Sequence, residues 1–128
     1  MKIITHISRV LLGLVFLVFG LNGFLNFIPA PPPPAGIAGQ FVGALFVSHY
    51  LGVVFALEAV AGALLLANRF VPVALTLLAP ILVNIALFHV FMAPSGFAPA
   101  VVAIALWAIL FSRERKVFLP LLAAKGTS

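Results

Sequence analysis

The chain contains no cysteine among its 128 residues. It can form no disulfide, perform no thiol exchange by itself and offer no thiolate to an iron–sulfur cluster or structural zinc. Charge is nearly as scarce: 7% of residues are charged and only two are acidic, against roughly 25% charged in a soluble domain. What fills the sequence is hydrocarbon, with 65% hydrophobic residues and a mean hydropathy of +1.34. A chain of this composition is an integral membrane protein whose first partner is the lipid bilayer. At about 20 residues per spanning helix it has room for four spans and no second folded domain. Its formal charge of +5 would suggest nucleic acid in a soluble protein. Here the few basic residues serve topology instead, and nucleic acid is not an expected partner.

Long apolar runs predict an all-α four-helix bundle, with spans at approximately 7–27, 48–67, 71–92 and 97–112 in a single domain. Every charge except Glu58 falls on one side of these spans: Lys2 and Arg9 at the start of the first, Arg69 between the second and third, then Arg113, Glu114, Arg115, Lys116 and Lys125. The positive-inside rule then puts both termini in the cytoplasm. The first segment reads as a retained span, because Ile28 occupies the position where a signal-peptidase site ending at Ala30 needs a small residue. A proline-rich outer loop spans 28–40, with Pro31 to Pro34 forced into an extended conformation that cannot continue a helix. From Ile37 to Val47 the chain is apolar again, predicting a short interfacial helix or a tilted extension of the second span.

Polar residues inside the spans are the candidates for function. At about 1.5 Å per residue, Glu58 lies roughly 16 Å above Arg69, Asn22 roughly 20 Å above Arg9 and Asn84 roughly 22 Å above Arg69. Asn26, His49 and His89 form a layer further out. A carboxyl at mid-depth is costly, so Glu58 calls for amide or imidazole partners from Asn22, Asn84 or His89. One reading makes it a clasp holding three helices in register. The other makes it a proton-handling or ligand-orienting group in an outward-opening cavity, with Asn84 within hydrogen-bonding reach, Asn22 helping to orient and His89 at the mouth. Pro80 would supply the bend, freeing the Thr76 carbonyl, which the Thr76 hydroxyl can compensate. No metal site is expected, since two imidazoles and one carboxylate at unfavourable helical angles do not make a ligand set. The many phenylalanines allow either lipid contact or stacking on a flat, quinone-like ring.

Three stretches carry a family resemblance: RVLLGLVFLVFGLNGF, LEAVAGALLL and NRFVPVALTLLAPILVNIALFHVFMAPSG. With GLNGF, the LE-x-x-x-G element and P-x-x-x-N-x-x-x-x-H together, the chain resembles the DoxX-like family of small four-helix membrane proteins over nearly its whole length. That resemblance implies a multi-pass protein of the bacterial cytoplasmic membrane, associated with membrane redox processes. It further implies an accessory subunit that binds a small lipophilic ligand such as a quinone, alongside a membrane or redox partner protein whose thiols would have to replace those missing here. It places Glu58, Asn22, Asn84 and His89 in recurrent motifs without giving them roles. A non-catalytic assembly or chaperone protein and a small-solute transporter are the rival readings, and homo-oligomerisation is left open.

Overall fold

The computed structural model describes residues 2–127 and is helical throughout, without a strand among the described residues. The elements are α1 (Lys2–Leu25), α2 (Gly36–Val47), α3 (Tyr50–Ala67), α4 (Val71–Phe91) and α5 (Phe97–Phe118), with 3₁₀ turns at Pro94–Gly96 and Leu119–Leu122. Four of them, α1, α3, α4 and α5, are long and apolar enough to cross a bilayer. The chain is therefore a multi-pass, all-helical membrane protein. These four close into a ring in which α1 packs on α3 and α5, and α4 packs on α3 and α5.

The first expected span is shifted toward the N-terminus, because nothing in Lys2 to His6 breaks the helical pattern and Asn26 turns the chain with a φ of 53°. The last runs six residues past Ser112, to Phe118. Arg, Glu and Lys are good helix formers, and Arg115 and Lys116 in the final turn complement the helix dipole. Aromatic contacts hold that extension: Trp107 stacks on Phe111 at 5.0 Å and Phe111 meets Phe118 at 4.9 Å. The expected 28–40 loop is shorter, since α2 begins at Gly36. Helix α2 is a separate element, broken from α3 by Ser48 and by His49 at φ 65°.

The tightest contact in the bundle joins α1 to α3. Running along α1 from Gly13 to Gly20 to Gly23, the facing residues of α3 descend from Leu65 and Leu66 through Ala59 to Phe55, so the pair is antiparallel. A methyl on Gly20 would lie 2.6 Å from the Ala59 nitrogen and 2.8 Å from the Phe55 carbonyl oxygen. One on Gly62 would strike the Leu17 backbone and approach the Gly13 carbonyl to 2.7 Å. Backbone lies against backbone, the arrangement that small residues permit in lipid, where dispersion and not water drives helix association.

On the other side of this pair sits a cluster of enclosed side chains that includes Leu12, Phe16, Ala61, Leu65, Ala74, Leu75, Leu78, Leu82 and Leu110. Outward-pointing Leu14, Phe19, Val53, Val60, Val83, Val90 and Val102 are exposed on the protein alone, as lipid-facing side chains are.

The α3–α4 connection is short because Asn68 adopts the left-handed conformation and closes a Schellman turn. Its amide bonds to the Leu65 carbonyl at 3.1 Å and that of Arg69 to the Leu64 carbonyl at 3.0 Å. Trp107 fixes α5 to α4 by donating its indole N–H to the Leu75 carbonyl at 2.9 Å. Trp107 is thus an interhelical tie.

Replacing Gly62 with Leu is expected to destabilise the protein by about 1 to 3 kcal/mol or abolish folding, because α1 must move away. Gly43→Ala, at a position with no atom near enough to meet the new methyl, should leave stability within about 1 kcal/mol of the parent. Thermal melts of both variants in detergent give the comparison.

Candidate functional site

Glu58 stands on the inward stripe of α3 together with Ala61, Gly62 and Leu65, a spacing of three and four residues that marks one helix face. It lies about 12 Å along the axis from Tyr50 and about 14 Å from Ala67, close to mid-span. Its exposure is 8%. Neither carboxyl oxygen is completely enclosed, and among the described residues the carboxyl makes no hydrogen bond or ion pair. The residue is largely buried, then, with its carboxyl slightly exposed and without a polar partner among the described residues.

The other three candidates do not join it. Asn22, on the last turns of α1, uses its amide as a clamp on the chain beyond the helix: Oδ1 accepts from the Ile28 N–H at 2.7 Å and Nδ2 donates to the Ile28 carbonyl at 3.3 Å. This two-point grip fixes where the chain enters the proline run. Asn84 is exposed, and its Nδ2 donates to the Pro80 carbonyl one turn back at 2.8 Å. No hydrogen bond connects it to Glu58. Thr76 behaves in the same way, its hydroxyl donating to the Pro72 carbonyl at 2.8 Å and not compensating its own carbonyl. Helix α4 passes through Pro80 without interruption.

His89 is bonded to a loop. Its Nδ1 lies 3.0 Å from the Ala93 carbonyl oxygen, and since a carbonyl only accepts, Nδ1 carries the proton. The ring sits between Phe88 and Phe97, edge-on to each at centroid distances of 5.2 and 6.5 Å. Gly96 lets the turn rest on it, because a methyl there would come within 2.7 Å of Cε1. Histidine, phenylalanine and the Pro94–Gly96 turn thus form one plug at that end of the α4–α5 hairpin.

Two features went unread in the sequence. Arg9 reaches from α1 to the end of α3, where its Nη1 donates to the Leu65 carbonyl and, at 3.3 Å, to that of Leu66. A cation placed on carbonyls at a helix C-terminus is favourable through both hydrogen bonding and the dipole. The signal available was an arginine within the first span, where a charge has to find partners. The second is a groove of about 290 Å³ between α4 and α5, lined by Ala79, Leu82, Val83, Ala86, Leu87, Ile104 and Trp107. Small side chains at 79 and 86 open it, and no charged side chain lines it. Among the described residues no group of His, Cys, Asp and Glu is arranged to hold a metal ion.

Comparison with protein-family models, with curated proteins and with solved structures gives no match.

Since the Glu58 carboxyl has no hydrogen bond to lose, Glu58→Gln and Glu58→Leu should both fold with stability within about 1 kcal/mol of the parent or above it. A loss of roughly 2 kcal/mol or more in a detergent melt would restore the clasp. Asn22→Ala removes the acceptor for the Ile28 amide, whose hydrogen exchange is expected to accelerate roughly fivefold, the equivalent of about 1 kcal/mol.

Proposed function

We propose that the chain is a DoxX-like accessory protein of the bacterial cytoplasmic membrane that binds a small lipophilic ligand, with a quinone ring as the best fit, in the α4–α5 groove. The observation that carries this reading is the groove itself: apolar on all sides, edged by the exposed Val83 and Leu87, and lined by the only tryptophan of the chain. Its volume is at the small end of the range for ligand sites, roughly 300 Å³ upward, which suits one flat ring and not a large headgroup. The indole N–H is committed to Leu75, so the groove offers shape and an aromatic face without a group that could transfer a proton.

The role is one of holding a ligand for a membrane or redox partner protein. Glu58, on α3 outside this groove and among the described residues the only ionisable side chain near mid-span, is the proton-handling group of this reading. Both termini are assigned to the cytoplasm, since the basic residues gather at their end of the bundle.

A non-catalytic assembly protein is the second reading. It is favoured by one specific observation: Asn22, Asn84 and His89 all spend their hydrogen bonds on nearby backbone, as residues that shape a scaffold do.

Fluorescence separates the two. A short-chain quinone titrated into the detergent-solubilised protein should quench Trp107 saturably, and Ala86→Leu, which fills the groove, should weaken the apparent affinity by roughly tenfold or more. Quenching that never saturates, or that Ala86→Leu leaves unchanged, removes the ligand reading. For topology, the cysteine-free background permits single-cysteine variants: Ala35→Cys should react with a membrane-impermeant maleimide on intact cells and Gly126→Cys only after lysis.

A further inference from the structure

At the opposite end from the proline run, the first turns of α1, the α3–α4 turn and the last part of α5 enclose a second cavity, of about 220 Å³. Lys2, Thr5, His6 and Arg9 line it from α1, Asn68 and Val71 from the turn, and Leu110, Arg113 and Glu114 from α5. Its base is apolar and closed, Val71 being 8% and Leu110 1% exposed. Its wall holds three permanent cations against one carboxylate, and among the described residues no ion pair ties Glu114 to any of them.

Arg9 is already fixed in place by the Leu65 and Leu66 carbonyls. Its Nη2 is 3.0 Å from His6 Nδ1. A guanidinium has no acceptor, so Nδ1 must accept and the imidazole keeps its proton on Nε2. Arginine, lysine, imidazole N–H and the Asn68 amide therefore offer donors around one space whose net charge is positive. Carbonyl and hydroxyl oxygens alone would suit a cation or water. This lining suits an oxyanion.

We propose that this cavity is a binding site for a phosphate group, and specifically for the headgroup of an anionic phospholipid. Two placements favour the lipid source. The cavity lies where the apolar helices end, at the level that headgroups occupy. Ile3, Ile4 and Phe70, neighbours in sequence of lining residues, are 50% to 74% exposed and provide hydrocarbon for acyl chains beside it. The site is separate from the α4–α5 groove and does not depend on the ligand reading given for that groove.

The test uses the full chain in a maltoside detergent and reads bound lipid by native mass spectrometry, with dioleoylphosphatidylglycerol, dioleoylphosphatidylcholine and inorganic phosphate as separate probes. Phosphatidylglycerol is expected to be retained one to one and phosphatidylcholine to be lost. The double variant Lys2→Gln/Arg113→Gln should weaken phosphatidylglycerol binding by roughly tenfold or more. Glu114→Gln, which removes the only negative charge in the cavity, should strengthen it, a response that a purely structural role would not produce. Arg9 is left intact because its loss would also free the end of α3.

Retention of inorganic phosphate that also displaces phosphatidylglycerol would place the phosphate group in the cavity by either source. Retention of phosphate without phosphatidylglycerol would overturn the lipid assignment. Equal retention of the two lipids, or phosphatidylglycerol binding untouched by Lys2→Gln/Arg113→Gln, would overturn the site itself.

Discussion

The fold rests on the absence of side chains at Gly13, Gly20 and Gly62. In lipid there is no hydrophobic force to press two helices together, so association has to come from close dispersion contact. Gly20 meeting the Ala59 and Phe55 backbone, and Gly62 meeting that of Leu17, bring α1 and α3 backbone to backbone. Other contacts follow from that placement. Arg9 can reach the end of α3 only because the two helices touch, and Glu58 is buried because its stripe faces the same interior. Helices α4 and α5 then pack around the pair, with the Trp107 indole fixing one to the other.

Within this frame the polar residues follow one rule. A side chain in hydrocarbon needs a partner, and the nearest unused acceptor is a backbone carbonyl one turn away. Thr76 and Asn84 take that option on α4, Ser112 on α5 with the Ile109 carbonyl at 2.7 Å, and Asn22 and His89 take its equivalent in the loops that follow their helices. Glu58 does not. Among the described residues its carboxyl makes no hydrogen bond, so it alone is left at mid-span without a backbone partner. That distinction separates it from the three residues with which sequence reasoning had grouped it.

The spans were legible from hydropathy because a bilayer imposes length and apolarity together. The α1–α3 contact is half legible: glycines at 13, 20, 23 and 62 are visible in the sequence as places where helices can approach closely, but their pairing requires knowing which helices are neighbours. The helical continuation to Phe118 was hidden, since charge was taken as the end of the span and the aromatic series at 107, 111 and 118 was not read as one face. Depth along the helix placed Glu58, Asn22 and Asn84 at similar heights. It said nothing of rotation about the axis or of competition from local carbonyls, and those decided what each amide bonds.

The segregation of charge has a consequence for how such a chain is made. The seven basic side chains all lie toward or beyond the ends of α1, α3, α4 and α5 that share one side, Arg9 the deepest at about two turns inside α1. The long 26–49 connection and the 92–96 turn at the other end contain no Lys, Arg, Asp or Glu. Each helical hairpin can therefore pass its tip through the bilayer without moving a formal charge against the membrane potential, where one elementary charge would meet roughly 2.3 kcal/mol per 100 mV. With the cytoplasmic termini proposed above, insertion moves only hydrocarbon and uncharged loops across the bilayer. The inverted arrangement would require translocating every arginine and lysine, a cost set by the sequence before any helix meets its neighbour.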